Sequence, residues 1–312
     1  MVRTSTKKIS LLERIKIDIR KHWILYVMLM PVVIYFIIFE YYPVYGLTLA
    51  FKKYNAKLGI GGSPWVGFKH FARLFKLHSF PTMIRNTLEM SLYSLVVGFP
   101  IPIVFALMLN YVENKKLKKT VQMVSYAPHF LSTVVVCSII TMFCSKDGGI
   151  FNVFRNLISM ESVSFLSVPE WFKDIYTWSG VWQGMGWSAI IYISALAGVD
   201  PTLHEAAIVD GATKIQRMWH VDLPSIKSTI VMLLIMRMGS IMSVGFEKVY
   251  LLQNSLNYQE SLIISTYVYE VGLLNGDYSY STAVGLFNNI INLSLLIATN
   301  VFSKKVLDES LF

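Results

Sequence analysis

The sequence predicts an all-α membrane protein with six transmembrane helices, and three observations predict it. Of the 312 residues, 54% are apolar and only 15% are charged. The mean hydropathy is +0.51. Soluble domains carry about a quarter charged residues, so this chain lacks the polar surface needed to coat a globule in water. Runs of about 20 mostly apolar residues, the length a helix needs to cross a bilayer, recur along it: Trp23 to Tyr42, Thr87 to Leu109, Val121 to Phe143, Ile175 to Val199, Ile226 to Phe246 and Ala283 to Phe302. An ordinary cytosolic enzyme and a disordered scaffold are excluded.

Before the first run, Leu11, Leu12, Ile15 and Ile19 form one stripe of an amphipathic segment, which suits a juxtamembrane helix resting on lipid. The first run is too long for a signal-peptide core and continues into Glu40-Tyr41-Tyr42-Pro43 without a small-residue cleavage site, so it is expected to stay as an anchor. After it, Phe68, Phe71, Ala72 and Phe75 share one helical face opposite Lys69, Arg73 and Lys76. That helix could lie on the membrane surface or cap the outer end of the bundle. Pro31, Pro100, Pro102 and Pro128 fall inside the first three runs, where neighbouring helices can satisfy the carbonyls a kink frees. Cys137 and Cys144, seven apart, read as packing residues of the third run. The fourth run opens on an amphipathic turn, the fifth contains Arg237, and the sixth is uninterrupted.

The net charge is +9. In a membrane protein a basic excess marks segments facing the cytoplasm and anionic lipid rather than nucleic acid. With the N-terminus inside, inner segments hold sixteen of the 28 Lys and Arg and outer segments eleven, Arg237 lying within a span. The first outer segment, with seven, runs against this assignment. The expected organisation is a cytoplasmic N-terminal segment over 1–22, one membrane domain over 23–303 and a cytoplasmic tail over 304–312, in a multi-pass protein of the cell membrane.

Between the fourth and fifth runs, the loop 200–224 is too polar to cross the bilayer and carries strong helix signals. Asp200 is a good N-cap and Pro201 suits the first helical position. Glu205-Ala206-Ala207 propagates the helix, and Gly211 offers a turn to positive φ. A second helical stretch, Lys214 to Val221, ends near Leu223-Pro224, where the proline can begin the next span.

Glu205-Ala206-Ala207, then Gly211, and Val221 before Leu223-Pro224, resemble at this spacing the cytoplasmic signature of ABC importer permeases, with Val221 where the pattern usually has Ile. The resemblance implies a type I ABC importer permease fold in which this loop is the coupling helix, docking on an ATPase subunit. It would place Glu205, Ala206, Ala207, Asp210, Gly211, Leu223 and Pro224 in that contact, with the small alanines permitting close approach. Asp210-Gly211-Ala212, then Trp219-His220 before Leu223-Pro224, looks like the carbohydrate-uptake permeases of the maltose type. The stretches Gly245 to Leu252, Thr266 to Tyr269 and Tyr278 to Phe287 resemble the branch that imports oligosaccharides or polysaccharides in Gram-positive bacteria. What the family implies is a carbohydrate importer with a second related permease, an ATPase dimer that binds ATP and Mg, and an extracellular sugar-binding lipoprotein.

Sugars are held by aromatic faces and by side chains that donate and accept hydrogen bonds. Gln183, Gly184 and Trp187 offer such groups and resemble pocket-lining positions of the maltose-type permeases, whereas Trp178 reads better as an interfacial aromatic. Arg237 falls near a sugar-contacting position of that family, and Ser240, Ile241 and Val244 continue its face at i+3, i+4 and i+7. Arg237 could be a donor fork for hydroxyls or a carboxylate, or a partner in a structural salt bridge. The six histidines form no ligand-spaced group, and no phosphate-binding G-x-x-x-x-G-K-[ST] is present. No catalytic, cofactor or metal residue is expected in this chain, and ATP hydrolysis is expected in the separate subunit. The same architecture for an amino acid or peptide is the nearest alternative. An ion-coupled secondary transporter would want intramembrane carboxylates and internal repeats.

Overall fold

A computed structural model describes residues 17–307. The positions Leu11, Leu12 and Ile15 of the amphipathic N-terminal stripe, and the tail beyond 307, lie outside the described residues. There is no β-strand among the described residues, and an isolated antiparallel bridge joins Lys52 to Trp65.

Helix α1 runs continuously over Trp23–Phe51, α2 over Lys69–Phe75, and α3 over Phe80–Asn110. Then come α4 (Lys115–Tyr126), α5 (Thr133–Phe143), α6 (Ile150–Leu157) and α7 (Phe172–Leu196). The C-terminal part comprises α8 (Pro201–Val209), α9 (Lys227–Met238), α10 (Phe246–Leu252), α11 (Ile264–Tyr269) and α12 (Tyr278–Leu307).

Among the described residues, three helices are long and apolar enough to cross a membrane: α1, α3 and Tyr278–Lys305 within α12. The third predicted run, Val121 to Phe143, is not one straight helix. Lys115–Phe130 and Thr133–Phe143 meet at 101°. Pro128 sits in a tight turn after α4, Leu131 is extended, and Ser132 restarts the chain as the N-cap of α5, accepting from the Val135 amide at 3.3 Å. The fourth run lies in α7, 25 residues long but diluted by glycine, serine and glutamine. Of the fifth run, Ile226 to Phe246, only Lys227–Met238 is helical. At 1.5 Å per residue its 12 residues cover about 18 Å, short of a hydrocarbon core of about 30 Å. The chain then turns irregularly through Gly239 to Gly245.

Three apolar clusters hold the bundle. Met90, Val136, Ile140, Phe172 and Val249 pack α3, α5, α7 and α10 together. Leu74, Met83, Met242, Tyr280 and Val284 join α2 and α3 to α12. Ala106, Ala189, Tyr192 and Ile226 seal α3 against α7. By contrast α1 is apolar on every side and buries nothing over its most hydrophobic window within this chain, the pattern of a helix whose surroundings are themselves apolar.

Charged contacts collect at the two ends. At one, Arg73 meets Asp277 at 2.6 Å, while Lys173 contacts Glu89 and pairs with Glu260 at 2.6 Å. At the other, Lys214 meets Glu113 at 2.6 Å, an ammonium that holds the Glu113 carboxyl below the usual carboxylate range.

Candidate functional site

Two arrangements stand out, a helical hairpin at the Glu113–Lys214 end and a cavity inside the bundle. The hairpin follows local backbone chemistry. The Asp200 side chain accepts from the Thr202 amide at 2.9 Å and caps α8, with Pro201 at its first position. At the far end the Gly211 amide bonds the Ile208 carbonyl (3.0 Å) and the Ala212 amide bonds the Ala207 carbonyl (2.9 Å). This is a Schellman stop, which requires a left-handed residue after the cap. Gly211 supplies it at φ +78°. Thr213 and Gln216 then form a reciprocal capping box that launches the return segment. That segment runs through Lys214–Arg217, a wide turn over Met218–Asp222 and a last turn, Leu223–Ser225. Pro224 therefore closes the hairpin, and α9 starts only after the break at Ile226.

Glu205, Ala206, Asp210, Gly211 and Pro224 are exposed, and Ala207 and Leu223 are half-buried. Around them the hairpin leaves apolar side chains bare, Val209 at 87% and Trp219 at 63%, with Leu203, Ile208 and Ile215 beside them. Its root is polar. Asp222 is fully buried, and Tyr111, at the end of α3, donates its hydroxyl to Asp222 Oδ2 at 2.6 Å. Burial first, and then the Asp222 carboxylate, push the Tyr111 phenol up, so it remains a donor. The other oxygen, Oδ1, faces His204 Nε2 on α8 at 3.2 Å, an ion-pair distance without hydrogen-bond alignment. One carboxylate thus ties α3, α8 and the return segment together. Neither Asp222 nor Tyr111 stands out in the sequence, because they are 111 positions apart and each has ordinary neighbours.

The cavity, of about 820 Å³, is bordered by α3, α7, α9, the irregular segment after α9 and Lys248 of α10. Gln183, Gly184, Trp187, Arg237, Ser240, Ile241 and Val244 all line it. Trp187 stacks on His129, with ring centroids 4.5 Å apart and planes within 6°, and Phe130 meets its edge. Gln183 donates to the Leu131 carbonyl at 3.3 Å, fastening α7 to the sharp bend before α5. Arg237 is in the last turn of α9 rather than midway along a span, because the helix stops at Gly239.

Non-helical backbone at membrane depth is tolerated where it is buried in protein or lines a cavity. Here side chains meet its freed amides. Asn292 Oδ1 accepts from the Met242 amide (2.8 Å), and the Tyr176 hydroxyl accepts from the Gly245 amide (3.0 Å). Sequence reasoning also missed Lys248. It lines the same cavity, is 8% exposed, and donates through Nζ to the Tyr176 carbonyl at 3.0 Å. Its neighbour Glu247 makes it resemble one half of a surface charge pair, which hid it.

Residues 98–308 match the family described as binding-protein-dependent transport system inner membrane component. The chain is 43% identical to the polygalacturonan/rhamnogalacturonan transport system permease protein YteP of Bacillus subtilis (strain 168), over 96% of this chain and 94% of that one. It is also 43% identical to protein LplB of the same organism, over 100% and 96% of the two chains. Among solved structures, it is similar to a chain in the crystal structure of a bacterial ABC transporter that imports the acidic polysaccharide alginate. The TM-score is 0.88 at 41% identity, covering 94% of this chain and 99% of that one. A crystal structure of a bacterial alginate ABC transporter in complex with alginate pentasaccharide-bound periplasmic protein gives the same TM-score at 40% identity, covering 96% and 100%.

Proposed function

Because this chain belongs to the family of binding-protein-dependent transport system inner membrane components, we infer that it is the permease subunit of an ABC importer that carries a carbohydrate, an oligosaccharide, across the membrane. The observation that carries the reading is the cavity. Polar and aromatic side chains of α7, together with an irregular segment after α9, surround a space of oligosaccharide size inside an apolar bundle. Relatives named for polygalacturonan and alginate transport, similar over nearly the whole chain, support the same solute class.

The finer assignments rest on that premise. Six crossings are proposed: α1, α3, the bent pair α4–α5, α7, α9 with the segment that follows it, and α12. The N-terminal segment 1–22, the loop 200–224 and the tail 304–312 lie in the cytoplasm, and the membrane domain spans 23–303. The α8 hairpin docks on an ATPase subunit, which holds ATP and Mg and does the hydrolysis. Glu205 brings a charge to that contact, Ala206 and Ala207 allow close approach, and Asp210, Gly211, Leu223 and Pro224 shape the hairpin. The bare Val209 and Trp219 suit an apolar cleft. A second permease completes the pathway, and a sugar-binding lipoprotein delivers the solute from outside. Closure of the ATPase dimer pushes the hairpins and rocks the permease pair from inward-open to outward-open. The solute then enters past Gln183, Gly184, Trp187, Arg237, Ser240, Ile241 and Val244.

The test is a mild-detergent pull-down of the tagged chain beside a Glu205→Arg variant. Recovery of an ATPase and a second permease, with the ATPase lost from the variant, supports the importer and the docking role of α8. Recovery of the chain alone, with uptake surviving ATP depletion, refutes the reading.

A further inference from the structure

We propose that the solute is anionic, an acidic saccharide whose carboxylate pairs with Arg237 and Lys248 in the bundle cavity. The proposal rests on the importer reading and specifies its substrate class. The lining contains two cations, Arg237 and Lys248, and no Asp or Glu. Its other polar side chains are neutral: serines, Thr177, Gln183, Trp187 and two tyrosines. Among the described residues neither cation is part of an ion pair.

Arg237 is exposed, whereas Lys248 is buried and is treated unlike two other sequestered cations of the chain. Lys173, partly buried, has both Glu89 and Glu260 as counter-ions. Lys52, also buried, lies outside the cavity with two carbonyls, those of Ile60 and Gly61, on its ammonium. Lys248 is as hidden as a core residue, yet it has one hydrogen bond, to the Tyr176 carbonyl, and lies 5.0 Å from the Tyr176 ring. An ammonium has three donors and a guanidinium five. Most of this donor capacity, and both formal charges, therefore remain available to whatever fills the space.

Neutral hydroxyls would use the donors but leave two like charges uncompensated in a site walled by Met90, Leu95, Phe99, Ile191 and Leu233. Like charges without counter-ions in such surroundings are costly. A uronate carboxylate satisfies donors and charge together, and the fork of Arg237 suits its planar geometry. The remaining lining matches the rest of a sugar ring, with hydroxyl partners in Ser94, Ser188 and Gln183 and an aromatic face in Trp187. The cations thus select the charge and the neutral groups accommodate the saccharide.

The experiment uses the complete importer in proteoliposomes, with its unaltered binding protein. The probes are uronic-acid oligosaccharides of galacturonate, mannuronate and guluronate, each beside its carboxyl-methylated, neutral counterpart. Wild-type uptake should favour an acidic form. Lys248→Met and Arg237→Met should each lower uptake of that acid at least tenfold more than uptake of its methyl ester. Lys248→Arg should restore most of the acid uptake. Because the binding protein is the same throughout, a change in the acid-to-ester ratio belongs to the permease. Preferential uptake of neutral oligosaccharides by the wild type would overturn the anion inference while leaving sugar import standing. A parallel fall for acid and ester in the variants would overturn it too, giving the cations a structural role such as a carboxylate of the second permease. No uptake of any saccharide, with ATP hydrolysis intact, would refute the importer's carbohydrate class instead.

Discussion

Removing the Tyr111 hydroxyl tests whether the root of the hairpin transmits work. Tyr111→Phe deletes one donor and little volume, and it leaves the fully buried Asp222 carboxylate facing only His204. A hydrogen bond to a charged group is worth about 1.5–3 kcal/mol. At about 1.4 kcal/mol per tenfold, that is roughly a 10- to 150-fold shift away from the anchored position of the return segment. The effect should be local, since α8 is independently stabilised by the Asp200 cap and the Gly211 stop. The expected phenotype of the reconstituted importer is continued ATP hydrolysis with solute uptake per ATP reduced several-fold. Asp222→Asn should reproduce it, since it keeps the shape and removes the charge. The double variant Tyr111→Phe/Asp222→Asn should be no worse than Asp222→Asn alone, because groups in direct contact are not additive. Unchanged uptake per ATP in both single variants, or losses that simply add, would refute the anchoring role.

Further outcomes follow from glycine geometry and ion pairing. Gly186→Ala should lower the thermal midpoint of the purified complex sharply. The new Cβ would stand 2.6 Å from the Ser125 carbonyl carbon on α4, and backbone cannot step aside, so about 1–3 kcal/mol is at stake. Gly239→Ala is the control: the Cβ there meets the flexible end of Leu296, at 2.6 Å from Cδ1, and the midpoint should move little. Gly211→Ala has open space around it but a φ of +78°, which costs an L-residue about 1–2 kcal/mol. Its signature should be faster proteolysis of the hairpin with the bundle's midpoint nearly unchanged. Lys173→Met leaves Glu89 and Glu260 with Arg85 as their remaining cation and should destabilise the complex by about 1–2 kcal/mol. Lys214→Met, at an exposed pair with Glu113, should cost about 0–1 kcal/mol in the same melting assay.

The hairpin was legible in the sequence because its signals are local. An N-cap, a proline, a left-handed glycine and the residues between them act within a dozen positions, and Asp200, Pro201 and Gly211 do what their chemistry requires. Hydropathy was a poorer guide to direction. It marked Val121 to Phe143 as apolar but could not register that the chain turns by 101° at Leu131 and Ser132. It likewise ran through Gly239, where α9 ends, and so placed Arg237 mid-span instead of at a helix terminus. The cavity residues were within reach because Gln183, Gly184 and Trp187 are neighbours on one helix. The Asp222–Tyr111 and Lys248–Tyr176 contacts were not, being made between positions 111 and 72 apart.

The early end of α9 gives the two sites a mechanical relation that a full-length span would not. Its first turn follows the Asp222 root after one short turn, Leu223–Ser225, and the break at Ile226, and its last turn carries Arg237 to the cavity. A 12-residue helix is about 18 Å long and moves as a rod. If the hairpin moves as proposed, its displacement would be delivered at the other end to Arg237 and to the Gly239–Gly245 segment. That segment can follow because its backbone is held by the side chains of Asn292 and Tyr176 rather than by a helical ladder. A straight helix through to Phe246 would resist bending beside the cavity. With α9 short, the compliant backbone falls at the cavity, and the stiff part joins it to the hairpin root.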